Sequence, residues 1–377
     1  MRLIQLQTLG NQSNLKMRLA RPILDEKGTI LVGKGVELTS FIVNRLLNLG
    51  ILSAYVDDGL TNDIIVPEIV SQETTMKTIS FIHKTMQEAA NSKNFSKYFQ
   101  TPKFTKKIQE LFRIIIDEIQ QNSSVMVSLA NIYSTDEFLY HHSFNVTMMA
   151  LMIGLKLKLS EKQMMDLGIG TILHDIGKMT IDPVILNKPD KLTPQEFEIM
   201  KTHTTNGFEI LRNQGDISAA AAQIALLHHE RFDGTGYPRG IPGKEQHIFG
   251  RIVALADVYE ALTANRIYRR GYLPHQAFEY ILGGGGSHFD PVIVDVFVKT
   301  IAVYPIGTEV TLNTGEKAIV TGVDSTCPHR PNVRVLFDAN GNLLHTAYDI
   351  RLVENLTCMI VDTNVEGMSQ TFQSAVQ

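Results

Sequence analysis

The stretch from residue 67 to residue 303 limits the fold more than any other part of the chain, because its apolar residues recur at helical spacing and its helix starts are written into it. A hydroxyl residue followed three positions later by a carboxylate or amide satisfies amide donors that a helix leaves unpaired in its first turn. Ser134 with Glu137, Ser160 with Gln163 and Thr193 with Glu196 are such pairs. Pro194 strengthens the last, since proline suits the first helical position. The pattern predicts a mainly α body, a bundle of helices.

The flanks read differently. Residues 1–66 offer short apolar segments broken by turns at Asp25–Gly28 and Gly33–Gly35. Thr39 or Ser40 can cap a helix carrying Phe41, Ile42, Leu46 and Leu47, and Ile51 to Val56 suits a strand. This predicts a small mixed α/β unit. Residues 304–362 turn to alternation, with Val310 and Leu312, then Ala318 and Val320. Asn340-Gly341 between Val333–Phe337 and Leu343–Ala347 signals a hairpin, so a small C-terminal β-barrel or sheet is expected. Residues 363–377 read as a flexible polar tail. A chain of 377 residues exceeds what one core usually organises, in keeping with this partition.

A formal charge of -4 gives no broad cationic field for duplex nucleic acid. Two cysteines, Cys327 and Cys358, fit a reducing compartment better than a disulfide framework. The opening MRLIQLQTLGNQSN turns polar too soon for a signal peptide. No apolar run reaches the roughly 18 residues of a membrane span. The expectation is a soluble, cytoplasmic protein with no membrane partner.

Chemistry concentrates in the helical stretch. His174 and Asp175 adjoin in LHDIGK, with Lys178 expected one turn beyond His174 on the same helical face. His228 and His229 adjoin in LLHHERFDGTGYP, and His142, His203 and Asp257 fall on separate predicted helices. A bundle can converge such side chains on metal. Imidazole suits iron, manganese, zinc, copper or nickel, and a carboxylate between two cations can bridge them. Five histidines and two aspartates are too many for one ion. Two neighbouring cations lower the pKa of a shared water from about 15.7 to near 7 and clamp the oxygens of an in-line displacement at phosphorus. Phosphoester hydrolysis is the natural reaction for that set. Isolated histidines such as His83, His275 and His345 read as surface or core residues. His141 adjoins His142 and points about 100° away on a helix, which leaves open which of the two faces the site.

The order of His142-Ser143 with Asn145-Val146, HDIGK at 174–178, KPDKLT at 188–193, MKTH at 200–203, HHERFDGTGYP at 228–238, RIVALADVYEALTANRIYR at 251–269 and HFDP at 288–291 is specific in combination. From about Asp136 to Pro291 it resembles the HD-GYP domains, a branch of the HD superfamily of metal-dependent phosphohydrolases. The resemblance implies that His142, His174, Asp175, His203, His228, His229 and Asp257 hold two divalent transition-metal ions, iron or manganese, with Asp175 bridging. It implies that Lys178 beside the metals assists charge development or protonates the leaving oxygen. Arg266 and Arg269 would hold substrate phosphate, and Tyr237 would shape the pocket. The implied activity is a bacterial second-messenger phosphodiesterase that opens cyclic di-GMP to pGpG, and to GMP after a second cut, by attack of a metal-bridging hydroxide. Another dinucleotide such as cyclic GMP-AMP, or a non-catalytic cyclic-dinucleotide module, is the alternative. Implied partners are the dinucleotide, a second copy in a homodimer, and a diguanylate cyclase of the GGDEF type.

Bland readings stand beside these. Gly234, Gly236 and Pro238 could simply make a loop, and Arg266 and Arg269 a solvated helix end. Two positions depart from the family pattern. Phe138 occupies the place where some members carry a glutamate for a third metal, so a third ion is not expected, although Asp136 and Glu137 lie close by. Glu260 stands where aspartate is usual, keeping the charge and extending the reach. The segments Arg21–Val56 and YPIGT onward resemble extensions found beside such domains, read as regulatory, packing or dimerisation elements.

Overall fold

A computed structural model describes residues 1–9, 17–25, 27–90, 102–123, 125, 139–214, 216–264, 271–324 and 326–363. The capping pair Ser134–Glu137 and the tail beyond Thr363 lie outside the described residues. The chain opens with β1 (Arg2–Gln5), α1 (Leu6–Leu9), β2 (Arg18–Leu19), β3 (Ile23–Leu24), β4 (Ile30–Val32), α2 (Ser40–Asn48) and β5 (Ser53–Asp57). The helical body follows as α3 (Gln72–Ala90), α4 (Pro102–Gln121), α5 (Leu139–Lys156), α6 (Glu161–Ile172), α7 (Pro183–Leu186), α8 (Pro194–Arg212), α9 (Ala219–Leu227), α10 (Ile248–Thr263), α11 (Pro274–Gly283) and α12 (Pro291–Val298). Last come β6 (Glu309–Leu312), β7 (Lys317–Gly322), β8 (Asn332–Phe337), β9 (Leu343–Arg351) and β10 (Ile360–Asp362). The architecture is mainly α, a helical bundle between a mixed N-terminal unit and a small C-terminal sheet.

Local signals hold where they were strongest. Ser160 and Thr193 each close a complete capping box, with Gln163 and Glu196 respectively. Thr39, rather than Ser40, caps α2. The Asn340-Gly341 turn joins β8 to β9 as an antiparallel pair, with Gly341 at φ +83° where a side chain would be strained.

Two helices run through the middle of the bundle. Val146, Met149, Leu151, Met152 and Ile153 of α5 are buried, as are Ile252, Val253, Leu255, Ala256 and Tyr259 of α10. A helix apolar nearly all round belongs inside rather than on a surface. Around them α4 and α6 close tightly at Gly168, where a Cβ would lie 2.5 Å from the Phe112 ring. The rigid core therefore fixes the helices that carry His142 and Asp257.

The two flanking units, remote in sequence, lie against each other. The Leu3 amide donates to the Gly307 carbonyl at 2.8 Å, and Leu3 bridges Thr308 in parallel register. Arg2 pairs with both Asp58 and Glu309, at 2.6 and 3.0 Å. Ile64 packs with Ile319 and Leu336. The N-terminal sheet runs β1-β5-β2 and the C-terminal one β10-β6-β7-β8-β9. A turn between β3 and β4 reaches the helical body: Gly28, at φ +73°, sits so close to α3 that a Cβ would meet the Met76 carbonyl at 2.8 Å.

Replacing Phe112, 1% exposed, with Ala should remove about 3–5 kcal/mol of stability, since the neighbouring backbone cannot fill the space. Equilibrium unfolding in denaturant checks this, and a loss under about 1 kcal/mol would mean that the core collapses around the gap.

Candidate metal centre

The residues singled out by sequence come from five places in the body. His142 lies on α5, His203 on α8 and Asp257 on α10, as expected. His228 caps the end of α9 and His229 follows it in a turn. HDIGK departs from expectation. Helix α6 stops at Ile172, His174 and Asp175 occupy a turn, and Ile176–Thr180 is a 3-10 helix. Bonds from the Ile176 amide to the Leu173 carbonyl and from Lys178 to Asp175 wind this segment with three residues per turn. Lys178 is thereby stacked over Asp175 rather than His174, its Nζ 2.7 Å from Asp175 Oδ2. Gly177 is required by a close approach, because a Cβ there would overlap the His203 carbonyl oxygen.

Backbone carbonyls orient three of the imidazoles. Nδ1 of His174 faces the Thr171 carbonyl at 2.7 Å, Nδ1 of His203 the Met200 carbonyl at 2.7 Å, and Nδ1 of His228 the Ile224 carbonyl at 3.2 Å. Donation from Nδ1 leaves each Nε2 with a free lone pair aimed into a common space, the arrangement that metal-ligating histidines require. His142 has a carboxylate in the carbonyl's place: Glu260 Oε2 lies 2.5 Å from its Nδ1, while Glu260 Oε1 accepts from Asn145 at 3.2 Å. His141 turns away, with Nε2 3.2 Å from the Asp25 carbonyl, so His142 is the member of the pair that faces the site.

Asp175 sits between two groups of rings. Its Oδ2 is 3.3 Å from His174 Nε2 and 3.7 Å from His142 Nε2, whereas Oδ1 is 3.6 Å from His203 Nε2 and 3.8 Å from His228 Nε2. Asp257 Oδ1 is 3.2 Å from His142 Nε2, and its Oδ2 is 4.0 Å from His229 Nδ1. Donor atoms of His142, His174 and Asp175 lie within 4.8 Å of one another, as do those of His203, His228 and His229, and those of His174, His228 and Asp257. Asp175 Oδ1 and His174 Nε2 are buried without a hydrogen-bond partner. Such groups cost free energy unless something pairs with them. Imidazole and carboxylate together suit divalent transition metals, and the seven residues fit such a group.

Charge follows from burial and neighbours. Burial pushes His229 down to about 3, and His203 and His228 also below the ordinary imidazole value, which keeps these rings neutral and ready to ligate. Asp175 is held well below the usual carboxylate range: burial opposes this, but Lys178 and His174 outweigh it. Burial likewise opposes charge on His142, yet the carboxylates of Glu260 and Asp257 raise it to about 10.

The GYP loop is more than a generic turn. Gly236 passes so near the preceding strand of backbone that a Cβ would lie 2.6 Å from the His229 carbonyl oxygen, and the Tyr237 amide bonds that same oxygen at 3.2 Å. Buried Glu230 accepts from the amides of Arg239, Gly240 and Ile241 at 2.7, 3.1 and 3.3 Å. Sequence reading gave no role to Glu230 or Asn145, although both stand inside quoted motifs. The Tyr237 ring stacks on His229 at 4.8 Å. His83, His275 and His345 stand apart from the cluster. Arg266, Arg269, Asp136, Glu137 and Phe138 lie outside the described residues.

Residues 116–293 match the family described as "HD domain", and residues 309–366 match "KOW domain associated with HD domain". Similar proteins include a cyclic di-GMP phosphodiesterase of Pseudomonas aeruginosa, 34% identical over 233 residues, covering 61% of this chain and 56% of that protein. Residues 116–293 of the chain are an HD domain. A cyclic di-GMP phosphodiesterase of Thermotoga maritima is 42% identical over 161 residues, 42% of this chain and 44% of that protein. A 3′3′-cGAMP-specific phosphodiesterase of Vibrio cholerae is 42% identical over 128 residues, 34% of this chain and 24% of that protein. The chain thus spans about half the length or less of these curated relatives. No helix among the described residues of this HD-domain chain is long and apolar enough to cross a membrane.

Glu260→Gln should weaken metal binding about tenfold to a hundredfold, because it removes the charge that orients His142. Competition against a chelator measures it, and unchanged affinity would show that Glu260 does not tune the ligand. The sign of the His142 shift gives a second expectation. A raised pKa stabilises the metal-free fold below about 6.5, and that contribution disappears as pH rises through about 10. Near neutral pH the ring must lose a proton to ligate, so metal loading should release it. Calorimetry in buffers of different ionisation enthalpy reads the proton directly, and none released would mean that His142 is already neutral.

Proposed function

We propose that this chain is a cytoplasmic phosphodiesterase that hydrolyses cyclic di-GMP to pGpG and then GMP with the help of two divalent ions, iron or manganese. The observation that carries the reading is Asp175, whose two oxygens face different groups of histidines. We assign His142, His174 and Asp257 to one side of that carboxylate and His203, His228 and His229 to the other, with Asp175 shared between two ions. When bound, such ions supply an acidified water and neutralise charge developing at phosphorus. A histidine and carboxylate set serves iron and manganese alike.

The remaining roles belong to the protein's own side chains. Lys178, anchored by Asp175 at 2.7 Å, presents an ammonium that can donate its proton to the leaving ribose oxygen. Arg266 and Arg269 supply guanidinium groups suited to the non-reacting phosphate oxygens. Tyr237 walls the site through its stack on His229. The body at 67–303 is assigned the chemistry, and the units at 1–66 and 304–362 a regulatory or packing role. Relatives named for cyclic di-GMP favour that substrate, while the relative named for 3′3′-cGAMP keeps the mixed dinucleotide as a second reading.

Protein purified without chelator or oxygen and supplied with Mn²⁺ or Fe²⁺ should convert cyclic di-GMP to pGpG and GMP, followed by chromatography. Asp175→Ala should reduce turnover to background. Full activity in that variant at normal metal content would overturn the assignment, and turnover of cyclic GMP-AMP alone would move the substrate to the second reading.

A further inference from the structure

One face of α8 carries a feature that the metal chemistry does not use. Phe197 and Lys201 stand one turn apart on that helix. Phe197 is 39% exposed, and its ring meets that of Tyr237 edge-on at 6.0 Å and 79°. Lys201 Nζ lies 5.5 Å above Phe197 and 5.9 Å above Tyr237, and is steadied by Glu198 Oε1 at 2.7 Å. Tyr237 in turn stacks on His229 at 4.8 Å. The two rings and the ammonium therefore form a corner one aromatic ring away from the imidazole cluster.

A cation over an exposed phenylalanine could be a surface contact and no more. What sets this corner apart is its direct continuity with the cluster through the Tyr237 ring. Every nucleobase offers a face that stacks on an aromatic ring, largely without regard to sequence. Discrimination needs an edge contact. Guanine presents O6 and N7 as paired acceptors to an ammonium, whereas adenine presents an N6 donor in place of O6.

We propose that Phe197, Lys201 and Tyr237 hold one purine base of the substrate, with Lys201 favouring guanine over adenine at that position. The proposal rests on the phosphodiesterase reading and deepens it, since it names the part of the chain that chooses the base. Phe197 and Lys201 are substrate-positioning residues in this scheme and take no part in bond breaking.

The test is calorimetric titration of the metal-loaded protein with non-hydrolysable phosphorothioate analogues of cyclic di-GMP and cyclic di-AMP, alongside checks of metal content and thermal melting. Phe197→Ala should weaken binding of both analogues between about fivefold and a hundredfold, and Phe197→Tyr should retain it. Lys201→Met should bring the guanine-to-adenine affinity ratio down towards one. Normal binding by a folded Phe197→Ala variant, or an unchanged ratio in Lys201→Met, overturns the corner while leaving the phosphodiesterase intact. Failure of the unaltered protein to bind either analogue overturns both readings together.

Discussion

A single carboxylate organises the body of this protein. Asp175 is 3% exposed, and one of its oxygens has no hydrogen-bond partner. An anion in such a place is costly unless cations answer it, and Lys178 answers from one side only. Six further ligand-type side chains, drawn from five places in the body, point at the same space. The apolar core fixes α5 and α10, and the packing that results closes α5, α8, α10 and two turns around Asp175.

Much of this was legible in the sequence, and the reasons differ by residue. His142, His174, Asp175, His203, His228, His229 and Asp257 were recognisable because their types and order suit metal, and all seven converge in space. The capping boxes at Ser160 and Thr193 were legible because their chemistry is local. The conformation of HDIGK was not. Helical spacing suggested a continuous face, but Gly177 must pass the His203 carbonyl closely, and the chain winds there as a tighter helix. Glu230 and Asn145 were given no role because their partners, three loop amides and a distant carboxylate, are set by tertiary structure.

The association of the flanks was also invisible to periodicity. Strand alternation shows which face of a segment is apolar and says nothing of what will cover it. Ile64 and Leu336 look like ordinary core residues of separate units, yet they belong to one cluster. Even His141, ambiguous beside His142, is explained by this long-range geometry, since its ring reaches the Asp25 carbonyl of the N-terminal unit.

Val66 and Ile306 pack in the same small cluster, at the points where the chain leaves the N-terminal unit and arrives at the C-terminal one. In topological terms the helical body is an insertion: its entrance and exit share one doorway, and the flanks are two halves of a single frame. A force applied to that frame reaches both ends of the insertion together. The turn at Asp25–Thr29 adds a third foothold, beside the helix that carries His142. The frame therefore touches the helix that carries His142 without any of its elements crossing the histidine cluster.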